Sequence, residues 1–197
     1  MRFISRFGLG VSAILALGGL AAPLSLGSQA VELRGQVYFN HPPTLVDAVT
    51  TERRTSSSGA TYYFTLTVPD DAGEPLQRIM IAQQDSSTFA RLVRYKTDRT
   101  RAFIGTPRNR DAALTVGETL FDSDTQTVTV RFDQPVAPGQ TVTIGLRPVR
   151  NPDLDGIYLF GVTAYPEGEN SFGQFLGYGR LSFDRSDRDF NGSTIFP

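Results

Sequence analysis

The sequence predicts an all-β domain, a single antiparallel β-sandwich of immunoglobulin-like, Greek-key type with at most one short helix. Three observations lead there. Apolar residues alternate with polar ones at period two in several stretches, as half-buried strands require. Clusters of Gly, Pro, Asn and Asp separate these stretches at short intervals, the spacing of a sandwich and not of βα units. A 3.6-residue apolar period, the mark of a surface helix, is confined to one short segment.

The chain opens on what reads as a secretory signal peptide over residues 1–30. Arg2 and Arg6 lead the uncharged stretch from Gly8 to Leu26, and Ser28-Gln29-Ala30 places small residues at −3 and −1 of a cleavage site. Glycines and Pro23 weaken that stretch as a spanning helix, and no basic stop-transfer cluster follows. The expected mature chain therefore begins at Val31, carries no transmembrane anchor, and belongs to the periplasm, the cell envelope or the extracellular space. The domain is expected over residues 31–183, with a flexible polar tail over 184–197. A domain of this size buries about 70% of the surface its unfolded chain exposes, so one core holds it without staples.

Strands are expected at Arg34 to Phe39, Ala60 to Val68, Leu76 to Gln83, Arg101 to Gly105, Ile157 to Tyr165 and Phe175 to Phe183. Val128, Val130 and Phe132 alternate with Thr129 and Arg131, and Val142, Ile144 and Leu146 alternate with Thr141, Thr143 and Gly145. These last two strands are expected to form a hairpin around Pro138-Gly139. There proline presets the first corner of a type II turn, and glycine accepts the positive φ of the second. Asp85 to Lys96 reads either as the short helix or, from Leu92 to Tyr95, as a strand. Arg147 to Gly156 is a cross-over loop, and Ile157 to Ala164, apolar on nearly both faces, reads as a central strand covered on each side.

Several stretches, "YFNHPP" from Tyr38, "YFTLTVP" from Tyr63, "RAFIG" from Arg101, "FDQPVAPGQTVTIGLRPVRNPDLDGIYLFGVTAYPEGE" from Phe132 and "GYGRLSF" from Gly177, resemble a cyanobacterial family known as domain of unknown function 2808. The resemblance implies export and a β-rich domain. It carries no established activity and no functional residues.

Composition removes whole classes of chemistry. With no cysteine there is no thiol nucleophile, iron–sulfur cluster or cysteine zinc site. His41 is the single histidine, so no second one completes a zinc site; with Met80 it is the sole soft pair for copper, too few ligands for a selective site. Losing Arg2 and Arg6 with the leader takes 19 basic residues to 17 against 20 acidic ones, a net charge of −3, which leaves no footprint for nucleic acid.

The acid pairs Asp153 with Asp155 and Glu167 with Glu169 sit on turns, where carboxylates are normally solvated. They do not display the facing geometry of glycoside hydrolysis. Asp187, Asp189, Asn191 and Ser193 match the opening of a calcium loop, but the chain ends before the bidentate glutamate, so only weak calcium binding is expected. Two groups remain as binding candidates. Phe172, Phe175 and Tyr178, spaced by glycines, are one. The basic run Arg91, Arg94, Lys96, Arg99, Arg101, Arg108 and Arg110 is the other. The sequence thus points to an exported structural or interaction module with no cofactor and no catalytic residue, its partner an envelope protein or polysaccharide. The alternative is a ligand-binding domain for acidic carbohydrate or a weakly bound cation; a hydrolase is the remote third.

Overall fold

The computed structural model describes residues 31–33, 35–84 and 92–185. Among them run β1 (Val31–Leu33), β2 (Gln36–Tyr38), β3 (Thr44–Thr50), β4 (Tyr62–Thr67), β5 (Leu76–Gln83) and β6 (Arg101–Gly105). Then follow β7 (Arg110–Leu114), β8 (Val116–Asp122), β9 (Thr127–Val136), β10 (Thr141–Leu146), β11 (Gly156–Pro166) and β12 (Gln174–Phe183). Helical structure among these residues is a single 3-10 turn, Thr97–Arg99. It lies just past Asp85 to Lys96, where the sequence allows a short helix; residues 85–91 lie outside the described residues, and Leu92 to Lys96 is not helical, with Tyr95 bridged to Pro148. No helix among the described residues is long and apolar enough to cross a membrane.

Two five-stranded antiparallel sheets pack face to face. The first has the order β3-β4-β10-β6-β7 and the second β12-β11-β5-β9-β8, while β1 and β2 form a separate ribbon. The alternation read from the sequence sorts residues between core and solvent. Tyr62, Phe64 and Leu66 of β4 face Phe160 and Val162 of β11 and Leu181 and Phe183 of β12 in one buried cluster. Rings meet edge-on or tilted within it, Phe64 with Phe160 at 5.8 Å and Tyr62 with Phe183 at 5.5 Å between centroids. Each fully buried aromatic or aliphatic side chain contributes about 1.5–3 kcal/mol. Along one side the sheets close tightly: a Cβ on Gly179 of β12 would stand 2.8 Å from that of Ala48 on β3, so only hydrogen fits there.

Two expectations need correction. Val128 to Phe132 and Val142 to Leu146 do not pair as a hairpin. β9 joins β5 and β8 in the second sheet, while β10 lies between β4 and β6 in the first. Pro138-Gly139 is the corner by which the chain steps from one sheet to the other. Gly139 does take positive φ (83°), and its N–H donates to the Val68 carbonyl at 2.9 Å. The strand before the corner, β9, runs to Val136, with Pro135 sitting where the register against β5 slips. The second correction concerns β11, which is covered on one face only: Ile157 and Leu159 point outward and are exposed.

The cross-over loop after β10 is fastened by a buried amide. Asn151 accepts from the Tyr62 hydroxyl at 2.9 Å and donates to the carbonyls of Glu52 and Arg54 at 2.9 and 2.8 Å. Burial pushes the Tyr62 phenol far above its usual pKa, so it stays a donor. This one side chain ties together the loop before β4, the strand itself and the loop that carries Arg147.

Candidate functional site

The outer face of the first sheet carries a row of small and hydroxylic residues. Thr143 on β10 gives its hydroxyl proton to the Gly105 carbonyl at 2.6 Å, which leaves Thr65 on β4 to donate to Thr143 at 3.0 Å. Next along β10 stands Gly145, level with Tyr63 on β4 and Arg101 on β6. A Cβ at Gly145 would come 2.8 Å from Cε1 of Tyr63, so the ring lies over the backbone there. Around this point is a hollow of about 320 Å³ lined by Tyr63, Phe103, Arg99, Arg101, Arg110 and Arg147, among others.

Each arginine arrives from a different element. Arg99 ends the 3-10 turn, Arg101 opens β6, Arg110 opens β7, and Arg147 follows β10. Arg110 is held in place: its guanidinium carbon stands 4.8 Å from the Phe103 ring centroid and 5.3 Å from that of Tyr63, and it donates to the Tyr63 hydroxyl at 2.9 Å. Arg147 donates to the Thr61 hydroxyl at 3.1 Å. Arg99 pairs with Asp98 at 3.3 Å, an exposed contact. Among the described residues no carboxylate lies within ion-pair distance of Arg101, Arg110 or Arg147. Four guanidinium groups with one neighbouring acid make a positive hollow, and planar forks steered by rings and hydroxyls suit oxyanions.

Sequence reasoning singled out three of these four. Arg94, Lys96 and Arg108 are exposed and do not line the hollow, and Arg91 lies outside the described residues. Arg147 was read as the start of a loop. The signal that marks it is Gly145, a glycine at an outward strand position two residues earlier, where a backbone is left open to close approach.

The other aromatic candidates divide. Phe172 stacks at a tilt on Tyr38, 5.0 Å between centroids. Phe175 and Tyr178 meet edge to face at 5.1 Å on the outer face of the second sheet, and both are more than half exposed.

His41 is exposed on a loop, with Asp71 beside it: Nδ1 is 3.1 Å from a carboxylate oxygen and 3.2 Å from the carbonyl. Met80 receives the Tyr165 hydroxyl at 3.0 Å. Asp153 accepts from Ser56 at 2.7 Å and pairs with Arg150 at 2.7 Å, and Asp155 pairs with Arg185 at 3.4 Å, so both brace loops. Glu167 and Glu169 are exposed, and Glu167 adds to the burial that raises the carboxyl of Glu74. No group of three or more His, Asp or Glu able to hold a metal occurs among the described residues. Asp187, Asp189, Asn191 and Ser193 lie outside them.

Fold and hollow together define an antiparallel β-sandwich domain with an arginine-lined hollow on the outer face of one sheet. The chain belongs to the family described as protein of unknown function (DUF2808), which matches residues 36–183. No curated protein matches it. Among solved structures it is similar to ACE19, the collagen-binding subdomain of the Enterococcus faecalis surface protein ACE. That likeness has 10% identity over 73% of this chain and 98% of that one, with TM-score 0.40. It is also similar to the C-terminal domain of the Streptococcus pyogenes antigen I/II-family protein AspA, at 13% identity over 70% of this chain and 46% of that one, TM-score 0.40, so the match spans less than half of that chain. BslA, a bacterial hydrophobin, is 17% identical over 74% of this chain and 95% of its own, with TM-score 0.38.

Proposed function

We propose that this chain is an exported, non-enzymatic interaction module that holds an acidic polysaccharide of the cell envelope. The signal-peptide pattern of residues 1–30 supports export. The observation that carries the ligand class is the convergence of Arg99, Arg101, Arg110 and Arg147 on one hollow that holds no acid of its own. Uronate carboxylates and sulfate esters both present the planar or near-planar oxygen pairs that guanidinium forks grip two at a time. The hydroxyls of Tyr63 and Thr61, both on the lining, offer partners for the sugar's own hydroxyl groups.

Calorimetric titration of the protein with polygalacturonate and with dextran sulfate, with plain dextran as the uncharged control, tests the reading. Binding to one of the acidic polymers is expected at about 20 mM salt and should weaken markedly at about 500 mM, where the screening length shrinks to a few ångströms. Arg101→Ala combined with Arg147→Ala should lower affinity by about 1–2 kcal/mol, roughly five- to thirty-fold. Affinity that ignores both salt and the double substitution, or no binding to either polymer, overturns the assignment.

A further inference from the structure

We propose that the outer face of the second sheet is a second binding site, a trough for an uncharged polysaccharide chain. The inference stands on observations separate from the arginine hollow, on the opposite side of the sandwich.

It begins with two side chains that should not share a face. Residues three apart in a regular strand point to opposite sides of the sheet, yet Phe175 and Tyr178 both project outward. The cause is a bulge in β12: Val162 of β11 pairs with Gly177 and Thr163 with Phe175, so Leu176 is unmatched and packs against the core. The extra residue reverses the phase of the strand and aims both rings at solvent. Bulges are structural devices that re-aim side chains beside functional sites. Opposite the rings on β11 is Gly161, where a Cβ would stand 3.3 Å from Phe175 and 3.4 Å from Tyr178, so the pair leans over an open stretch of backbone.

From the rings the floor stays low across the sheet. Tyr178 is level with Gly161, Gly161 with Ala82 on β5, and Ala82 with Thr127 on β9. At 4.7–4.9 Å between neighbouring strands, crossing from β12 to β8 spans about 19 Å. At the far side the turn 123–126 rises as a wall. It is preformed: the Asp122 carboxylate accepts from the N–H groups of Asp124 and Thr125 at 2.8 and 3.4 Å and from the Thr125 hydroxyl at 2.9 Å. Gln126 takes positive φ (52°) and donates from its amide to the Ser123 carbonyl at 2.8 Å. Rings, floor and wall enclose about 750 Å³.

The lining selects the ligand. Among the described residues it offers amides from Gln84 and Gln126, hydroxyls from Ser123, Thr125 and Thr163, one carboxylate from Asp124, and no cation. An acidic polymer finds nothing among these residues to neutralise it, and an apolar peptide face would bury hydroxyls and amides without partners, which costs free energy at each. A sugar chain fits both demands. Its flat C–H faces pack on the two rings, its hydroxyl groups meet the amides and hydroxyls, and a low floor running across β11, β5 and β9 admits sugar units in a row. A rigid wall and rings aimed in advance lower the ordering cost of binding.

Affinity electrophoresis of the full chain, in gels carrying a soluble β-glucan, a glucomannan, a xylan or dextran, tests this. At least one of the four should retard the protein, equally at low and at high salt. Phe175→Ala with Tyr178→Ala should cut the retardation at least fivefold while leaving the far-UV spectrum and the urea midpoint in place, since both rings are exposed. Ala82→Arg, which fills the floor and keeps the rings, should do the same. Arg101→Ala with Arg147→Ala should retard as the parent does, which separates this site from the arginine hollow. Retardation by none of the four overturns the proposal, as does retardation that survives both trough variants or disappears in salt. Sedimentation showing a dimer that the ring variant dissolves also overturns it, because a second copy would then be the occupant.

Discussion

Replacing Asn151 with alanine should be among the most damaging single changes outside the apolar core. The substitution strips the Tyr62 hydroxyl of its acceptor and the Glu52 and Arg54 carbonyls of their donor. A buried phenol left unpaired costs about 1–3 kcal/mol, and each of the two lost bonds to a part-buried carbonyl about 0.5–1.5 kcal/mol, which together give roughly 2–6 kcal/mol. Against a domain stability of about 5–15 kcal/mol this is a large fraction. With a urea dependence of about 2 kcal/mol per molar it lowers the unfolding midpoint by about 1–3 M. Tyr62→Phe alone leaves only the Asn151 carbonyl oxygen unpaired and should cost about 1–2 kcal/mol. In the double variant the orphaned phenol no longer exists, so the two losses should fall short of additivity by about 1–2 kcal/mol. Urea titration of the four proteins measures all three quantities. A loss below about 1 kcal/mol for Asn151→Ala, or a cycle additive within about 0.5 kcal/mol, would refute the claim that this amide fastens the loop.

Two further outcomes follow from the backbone and from charge. Gly139→Val places a β-branched residue at positive φ at the inter-sheet corner and should cost about 1–2 kcal/mol in the same urea assay; no loss would mean the corner is not in that conformation. The Asp122 carboxyl, held below its usual range first by the Asp124 N–H and then by the Thr125 hydroxyl and N–H, adds stability that is present above the unfolded value near pH 3.9. That contribution is lost as pH falls through the lower folded value. NMR titration should place its midpoint under the ordinary aspartate value, and a midpoint at or above it would contradict the wall's geometry.

The strands legible in the sequence are the apolar or alternating runs bounded by turn residues: β2, β4, β5, β6, β10, β11, β12 and the core part of β9. β3, β7 and β8 escaped because they are edge strands with slips. β3 loses register between Leu45 and Asp47, and β8 between Val116 and Glu118, which shifts the apolar phase mid-strand. β7, Arg110–Leu114, is exposed nearly throughout and shows no alternation to read. The mistaken hairpin has a sharper cause. Val128, Val130 and Phe132 face the same core as Val142, Ile144 and Leu146, and that pattern is identical whether two strands lie side by side or on opposing sheets. A Pro-Gly corner fits both. At the arginine hollow, neighbours in sequence such as Arg99 and Arg101 were visible as a cluster. Arg147 was not, since only the pairing of β10 with β6 brings it there.

The strand order also sets the sequence of events by which the chain finds its shape. β10 lies between β4 and β6, and β5 between β11 and β9. The hairpins β6–β7 and β8–β9 close over short turns and β3–β4 and β11–β12 over longer local loops, but the four pairings at the centres of the sheets join segments distant along the chain. Such non-local pairing is slow, because loop entropy is lost before the contacts that reward it are made. Without Thr141–Leu146 nothing joins β4 to β6, and the inner edge of each is a row of unpaired N–H and C=O groups. A chain that lacks β10 therefore offers another extended segment the place that β10 fills in the finished sandwich, whose β3–β12 seam is closed on Gly179.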